Sequence, residues 1–130
     1  MGEANVEDTM SFFSVALGGA IGAVGRYAIS LIPVKTGFPV QTLITNILGA
    51  VLIGFIVGLV SQREDISPNT VLFWKTGVCG GFTTFSTFSL EAFSLLENHQ
   101  ISAGILYIAL SVVFCIAGIL CGRRLAMLLA

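Results

Sequence analysis

Charge is what this sequence has least of. Six Lys and Arg, seven Asp and Glu and one His leave charged residues at 10% of 130, against about 25% in an ordinary water-soluble domain. So few ionic groups could not cover a water-facing surface, and a net charge of -1 supplies no basic field for nucleic acid. Three cysteines are too few for a disulfide scaffold, and a hydrophobic content of 55% excludes disorder. The lone His99 falls in a short turn, no phosphate-binding loop is present, and no nucleophile, base and orienting acid can be assembled. An enzyme reading has no residues to stand on. What remains is a small integral membrane protein.

Long apolar runs are what the chain does have. A crossing takes roughly 20 mostly apolar residues at about 1.5 Å of rise each, and four stretches qualify: residues 11–32, 40–60, 71–97 and 101–121. The turn after the first is bounded by Pro33 and Pro39, and the polar loop 61–70 carries Pro68 and the charges Arg63, Glu64 and Asp65. Residues 1–10 read as a polar, acidic, mobile tail, without the basic start of a signal peptide. The expected fold is therefore all-α, one four-helix membrane domain over residues 11–130. An even number of crossings puts both termini on one side, and the small Lys/Arg bias leans toward a cytoplasmic placement while permitting both orientations. Glycine recurs at four-residue spacing in Gly18/Gly22, Gly54/Gly58, Gly77/Gly81 and Gly118/Gly122, the pattern that lets helix backbones approach closely in lipid. Four crossings enclose little volume, so packing against a second copy is expected as well.

The third stretch departs from the rest. Residues 80–89 read GGFTTFSTFS: two glycines, then Thr83, Thr84, Ser86, Thr87 and Ser89 interleaved with Phe82, Phe85 and Phe88. Glycine pairs and β-branched residues weaken a helix locally, so a break is expected here. Interrupted backbone at membrane depth is tolerated only where it is buried in protein, lines water or meets an ion. The alternative is an intact helix whose hydroxyls bond back to its own carbonyls. Phenyl rings at this spacing pack, and their electropositive edges can also favour an anion.

Other stretches supply matching polar groups. Asn46, with Thr42 one turn before it, faces inward if its amide is to be satisfied. Tyr107, Ser111 and Cys115 recur at four-residue spacing and form one polar stripe. Arg26 either snorkels to the interface or lines an aqueous vestibule that draws anions in. Carboxylates are nearly missing from the crossings: Glu91 sits well past the middle of the third and Glu97 at its edge, with none in the other three. A proton-coupled antiporter needs a central titratable group. Amide, hydroxyl and phenol donors with aromatic edges instead suit a small, strongly hydrated anion whose lost water must be replaced by hydrogen bonds.

The run 80–89 resembles the signature of the Fluc (CrcB-type) fluoride channels, and residues 22–27 (GAVGRY) and 46–49 (NILG) extend the similarity into the first two crossings. The resemblance implies a passive, fluoride-selective channel of the cytoplasmic membrane that exports F⁻. It also implies an antiparallel, dual-topology homodimer with two pores. In that family a structural Na⁺ sits at the break, held by backbone carbonyls, which here would be those of Gly80 and Thr83. Phe85 and Phe88 match the paired pore rings and Asn46 the pore amide. Tyr107 and Ser111 match the polar track, Thr87 falls with them on the anion pathway, and Arg26 matches the vestibule arginine. Where the track usually carries a third hydroxyl this chain has Cys115, a weak donor to which no role is assigned. The competing readings are a small four-span proton-coupled antiporter and a membrane subunit that only packs with partners.

Overall fold

Apolar runs free of internal proline wind into helices, and the computed structural model, which describes residues 2–130 and side chains from residue 5 onward, contains no strand among them. In chain order the elements are α1 (Gly2–Ser30), α2 (Val40–Val60), α3 (Pro68–Val71), a π-helical stretch (Leu72–Cys79), α4 (Gly80–Phe82), α5 (Phe85–Glu97) and α6 (Ile101–Leu129). α2 and the start of α6 fall where the hydropathy pattern puts them. α6 runs on through Arg123 and Arg124, because arginine is a good helix former and a charge at the end of a span need not stop the winding.

The acidic segment expected as a mobile tail is instead helical. Residues 2–10 continue into α1 without interruption, and the Thr9 and Ser11 hydroxyls donate back to the carbonyls of Asn5 and Glu7 at 2.7 and 3.0 Å. Met1 lies outside the described residues. α1, α2 and α6 are each long and apolar enough to cross a membrane. The segment expected as an interrupted crossing, 71–97, is divided among α3, the π-helical stretch, α4 and α5.

Local signals define the connections. Gln41 Nε2 donates to the carbonyls of Ser30 and Ile32 at the end of α1, at 3.2 and 2.5 Å. Ser67 caps α3, accepting from the Thr70 N–H at 3.3 Å with Pro68 at the first helical position. α5 reverses into α6 through a Schellman turn: His99 takes the left-handed conformation (φ 59°), its N–H bonds the Leu96 carbonyl at 3.1 Å, and the Gln100 N–H bonds that of Leu95 at 2.8 Å.

The glycine spacing sorts the helices into two seams. In one, α1 lies on residues 72–82: a Cβ at Gly18 would meet Phe73 and Gly77, and one at Gly22 would meet Val78 and Phe82. In the other, α2 lies on α6: a Cβ at Gly54 would meet Ile119, one at Gly58 Arg123 and Ala126, and one at Gly122 Val51 and Phe55. Both seams run parallel, since later residues of one helix meet later residues of the other. All four small-residue pairs are thus used within one chain. The buried set is correspondingly small in size (Ala50, Cys79, Ala92, Ala126), while large apolar side chains such as Phe12, Phe13 and Leu128 point outward. Interfaces of small residues with bulky apolar groups outside are what lipid, not water, permits. The one larger cluster is Ala92, Leu95 and Tyr107, covered by Phe38, Leu43 and Phe88.

Candidate functional site

Between α4 and α5 the backbone leaves the helix for two residues. Thr83 (φ -79°, ψ 156°) and Thr84 (φ -150°, ψ 115°) are extended, a conformation that β-branched side chains favour. Side chains take over several of the backbone groups that the gap leaves without helical partners. The Thr84 N–H donates to Asn46 Oδ1 at 2.8 Å, and Asn46 Nδ2 donates to the Thr84 carbonyl at 3.0 Å. The Thr87 N–H donates to Thr84 Oγ1 at 3.2 Å, making Thr84 the N-cap of α5. Upstream, both the N–H and the hydroxyl of Thr83 donate to the Cys79 carbonyl, at 3.0 and 2.8 Å. Arg26 Nε donates to the Gly81 carbonyl at 3.3 Å, so its positive charge lies at the C-terminal end of the helical stretch 68–82, where the helix dipole favours a cation.

Beside the extended pair lies an open groove of about 550 Å³ with mostly apolar walls, between α2, the third segment and α6. Among the residues proposed from sequence, Asn46, Gly80, Thr83, Phe85, Phe88 and Ser111 line it, together with Cys115. Within this groove the side chain of Ser111 stands apart. The residue is 6% exposed, and its hydroxyl is buried without a hydrogen-bond partner. An orphaned buried hydroxyl costs about 1–3 kcal/mol and marks a place where a guest can be bonded. Phe85 and Phe88 sit 5.5 Å apart, centroid to centroid, and Phe88 is 5.2 Å from Tyr107. Phe85 is 79% exposed, so one chain alone leaves this side of the groove unwalled.

Three proposed residues do not reach the groove wall. Thr87 is spent on the cap, its hydroxyl accepting from Thr84 Oγ1 at 3.0 Å. Arg26, on α1, bonds the Gly81 carbonyl of α4 and does not line the groove. Tyr107 is completely buried behind Phe88, and its hydroxyl donates to Glu91 Oε2 at 2.7 Å. The Thr42 hydroxyl donates to the other carboxylate oxygen at 2.8 Å. This Thr42–Glu91–Tyr107 set gives Glu91 two partners that spacing alone does not pair with it; the signal was the presence of a carboxylate and two donors on three apolar helices, each in need of a partner. Lys75, on the π-helical stretch, also lines the groove and brings it a positive charge that the polar pattern of residues 80–89 does not announce.

Two of the carbonyls at the break lose their helical donors to other groups. In an unbroken helix the Gly80 carbonyl would accept from the Thr84 N–H and the Thr83 carbonyl from the Thr87 N–H; Asn46 and the Thr84 hydroxyl take those donors instead. A freed carbonyl in apolar surroundings is a ligand for a hard cation. The residues present fit such a group.

The sequence matches the family model described as CrcB-like protein, Camphor Resistance (CrcB), over residues 13–123. A protein of Ruminiclostridium cellulolyticum named fluoride-specific ion channel FluC is 41% identical over 128 residues, covering 96% of this chain and 98% of that one. Proteins of the same name from Flavobacterium psychrophilum and Clostridium perfringens (strain ATCC 13124) are 46% and 47% identical, over 78% and 88% of this chain and 85% and 92% of theirs. With a groove beside an interrupted helical segment, three helices able to cross a bilayer and a family match over most of its length, this chain is a multi-pass membrane protein and belongs to the CrcB-like family.

Proposed function

We propose that the chain is the subunit of a passive, fluoride-selective channel in the cytoplasmic membrane, working as an antiparallel homodimer. The observation that carries this reading is the orphaned hydroxyl of Ser111 inside a groove that offers donors and no carboxylate. Relatives at 41–47% identity carry the name fluoride-specific ion channel. A small anion entering the groove exchanges water for the Ser111 hydroxyl, the unused N–H of the Asn46 amide and the edges of Phe85 and Phe88. The ring edges carry partial positive charge, and donors placed close together in a narrow passage replace the water of a small anion while leaving no room for a larger one.

Four crossings in one domain agree with the two parallel seams, because alternating crossings bring first and third, and second and fourth, into the same direction. The exposed flank at Gly80 and Phe85 supports a second copy as the missing wall. One subunit offers the carbonyls of Gly80 and Thr83. Two copies meeting at this flank would offer four, a set suited to Na⁺, which when bound supplies the positive charge that compensates them. Arg26, tied to the Gly81 carbonyl, holds the upstream end of the break. The proton-coupled antiporter is not favoured: Glu91, the carboxylate well inside the third segment, has both oxygens bonded, by Thr42 and Tyr107, outside the groove lining. The family gives the chain a transport role and not an enzymatic one.

Liposomes containing the purified protein and loaded with fluoride test the reading. Fluoride efflux, followed with a selective electrode, is expected without a pH gradient, with chloride flux lower by orders of magnitude. Ser111→Ala should slow efflux about tenfold, the worth of one hydrogen bond to an ion. Equal flux of the two halides, or efflux that needs a proton gradient, would refute it.

A further inference from the structure

We propose that Asn46 is a positioning residue for the carbonyl pair at the break, and that the same amide therefore couples the anion groove to the cation site. This rests on the channel reading above. A primary amide carries the same donor and acceptor as a peptide group. Asn46 uses both on one residue, accepting from the Thr84 N–H at 2.8 Å and donating to the Thr84 carbonyl at 3.0 Å. With one donor and one acceptor opposite it, the amide can be oriented in only one way. Asn46 thus replaces the helical bonds that the extended Thr84 gives up, which lets the break persist where unsatisfied backbone groups are costly.

The consequence lies one turn upstream. The Thr84 N–H is the group that would otherwise close onto the Gly80 carbonyl, and Asn46 holds it away. Gly80 itself faces open space, with nothing within 4 Å of where a Cβ would stand. Its carbonyl is available because a side chain from α2 has taken its partner. Asn46 has one further N–H, and its residue lines the groove. One amide thereby faces the anion with one hydrogen and governs the cation ligand with its oxygen.

The test titrates Na⁺ against N-methyl-D-glucamine at constant ionic strength into the full-length protein in detergent, following the thermal unfolding midpoint, with fluoride efflux measured in parallel. Asn46→Ala releases the Thr84 N–H to the Gly80 carbonyl and should raise the Na⁺ concentration for half-maximal stabilisation about tenfold, the equivalent of one net hydrogen bond. Asn46→Asp keeps the acceptor for the Thr84 N–H, the bond that governs the Gly80 carbonyl, while losing the donor to the Thr84 carbonyl and setting a carboxylate against the anion. It should keep the Na⁺ response within about twofold while losing efflux, whereas Asn46→Ala should weaken both, and it is the shifted Na⁺ titration of Asn46→Ala that an anion-binding role alone would not produce. Ser111→Ala, away from the break, should leave the Na⁺ titration unchanged. If the wild-type protein responds to Na⁺ and Asn46→Ala responds equally, the coupling is refuted while the channel reading stands. If Asn46→Ala does not fold, Asn46→Leu, of similar volume and without a hydrogen-bonding group, takes its place, and an unchanged Na⁺ response there refutes the coupling. A wild-type protein indifferent to Na⁺ refutes the cation site itself, and with it the coupling.

Discussion

Replacing Gly22 by alanine is the sharpest probe of the seam that carries the broken segment. A Cβ at Gly22 would lie 2.2 Å from the Val78 carbonyl oxygen and 2.7 Å from the Phe82 nitrogen, about 1.2 Å short of ordinary contact with the first. Both obstacles are backbone, so no rotamer change relieves the clash; α1 and residues 78–82 must separate. Overpacking of this kind costs about 1–3 kcal/mol, occasionally more, and the upper end is expected because the shift also strains the Arg26–Gly81 contact, one turn along α1. Gly19, on the same helix, has nothing within 4 Å, so Gly19→Ala should gain up to about 1 kcal/mol from helix propensity. Thermal or denaturant unfolding of the two variants in one detergent measures the difference, and efflux from liposomes reports whether the broken segment has moved. A Gly22→Ala protein as stable as its parent, or a Gly19→Ala protein equally damaged, would refute the packing scheme.

Two further outcomes follow from contacts elsewhere. Tyr107→Phe leaves one Glu91 oxygen without its buried donor and should lower stability by about 1–3 kcal/mol, read by the same unfolding assay; an unchanged midpoint would show that the Thr42–Glu91–Tyr107 set contributes nothing. Lys75→Gln removes a positive charge from the groove wall and should slow fluoride efflux several-fold at low ionic strength, with the deficit shrinking as salt screens the charge; a deficit independent of salt would argue for a packing role.

Much of the architecture was legible because the relevant physics is local. The apolar run 40–60 carries no charge and no internal proline, and α2 occupies those residues. The Gly-Gly-Phe-Thr-Thr run marked the place where helical backbone is least secure, and Thr83 and Thr84 are the extended residues. The acidic start misled because polarity determines where a segment partitions, not whether it winds; Glu, Ala and Met are good helix formers with or without lipid. Glycine spacing identified the close-packing faces but not their partners, since a small-residue pair accepts any backbone of suitable shape.

The site divides along the same line. Residue types alone declared its chemistry: hydroxyls, an amide and phenyl edges, with carboxylates scarce, in a chain too apolar for water. Composition and one-dimensional pattern settle that, because the cost of burying a charge or an unpaired amide does not depend on which neighbour eventually satisfies it. Which groups are spent and which are left over came only from the folded chain. Asn46 and Thr84 are 38 residues apart in sequence, and Tyr107 is drawn to Glu91 rather than to the groove. A hydrogen bond satisfies one partner at the expense of another, and only the three-dimensional arrangement decides that Ser111 is the buried hydroxyl left without one among the described residues.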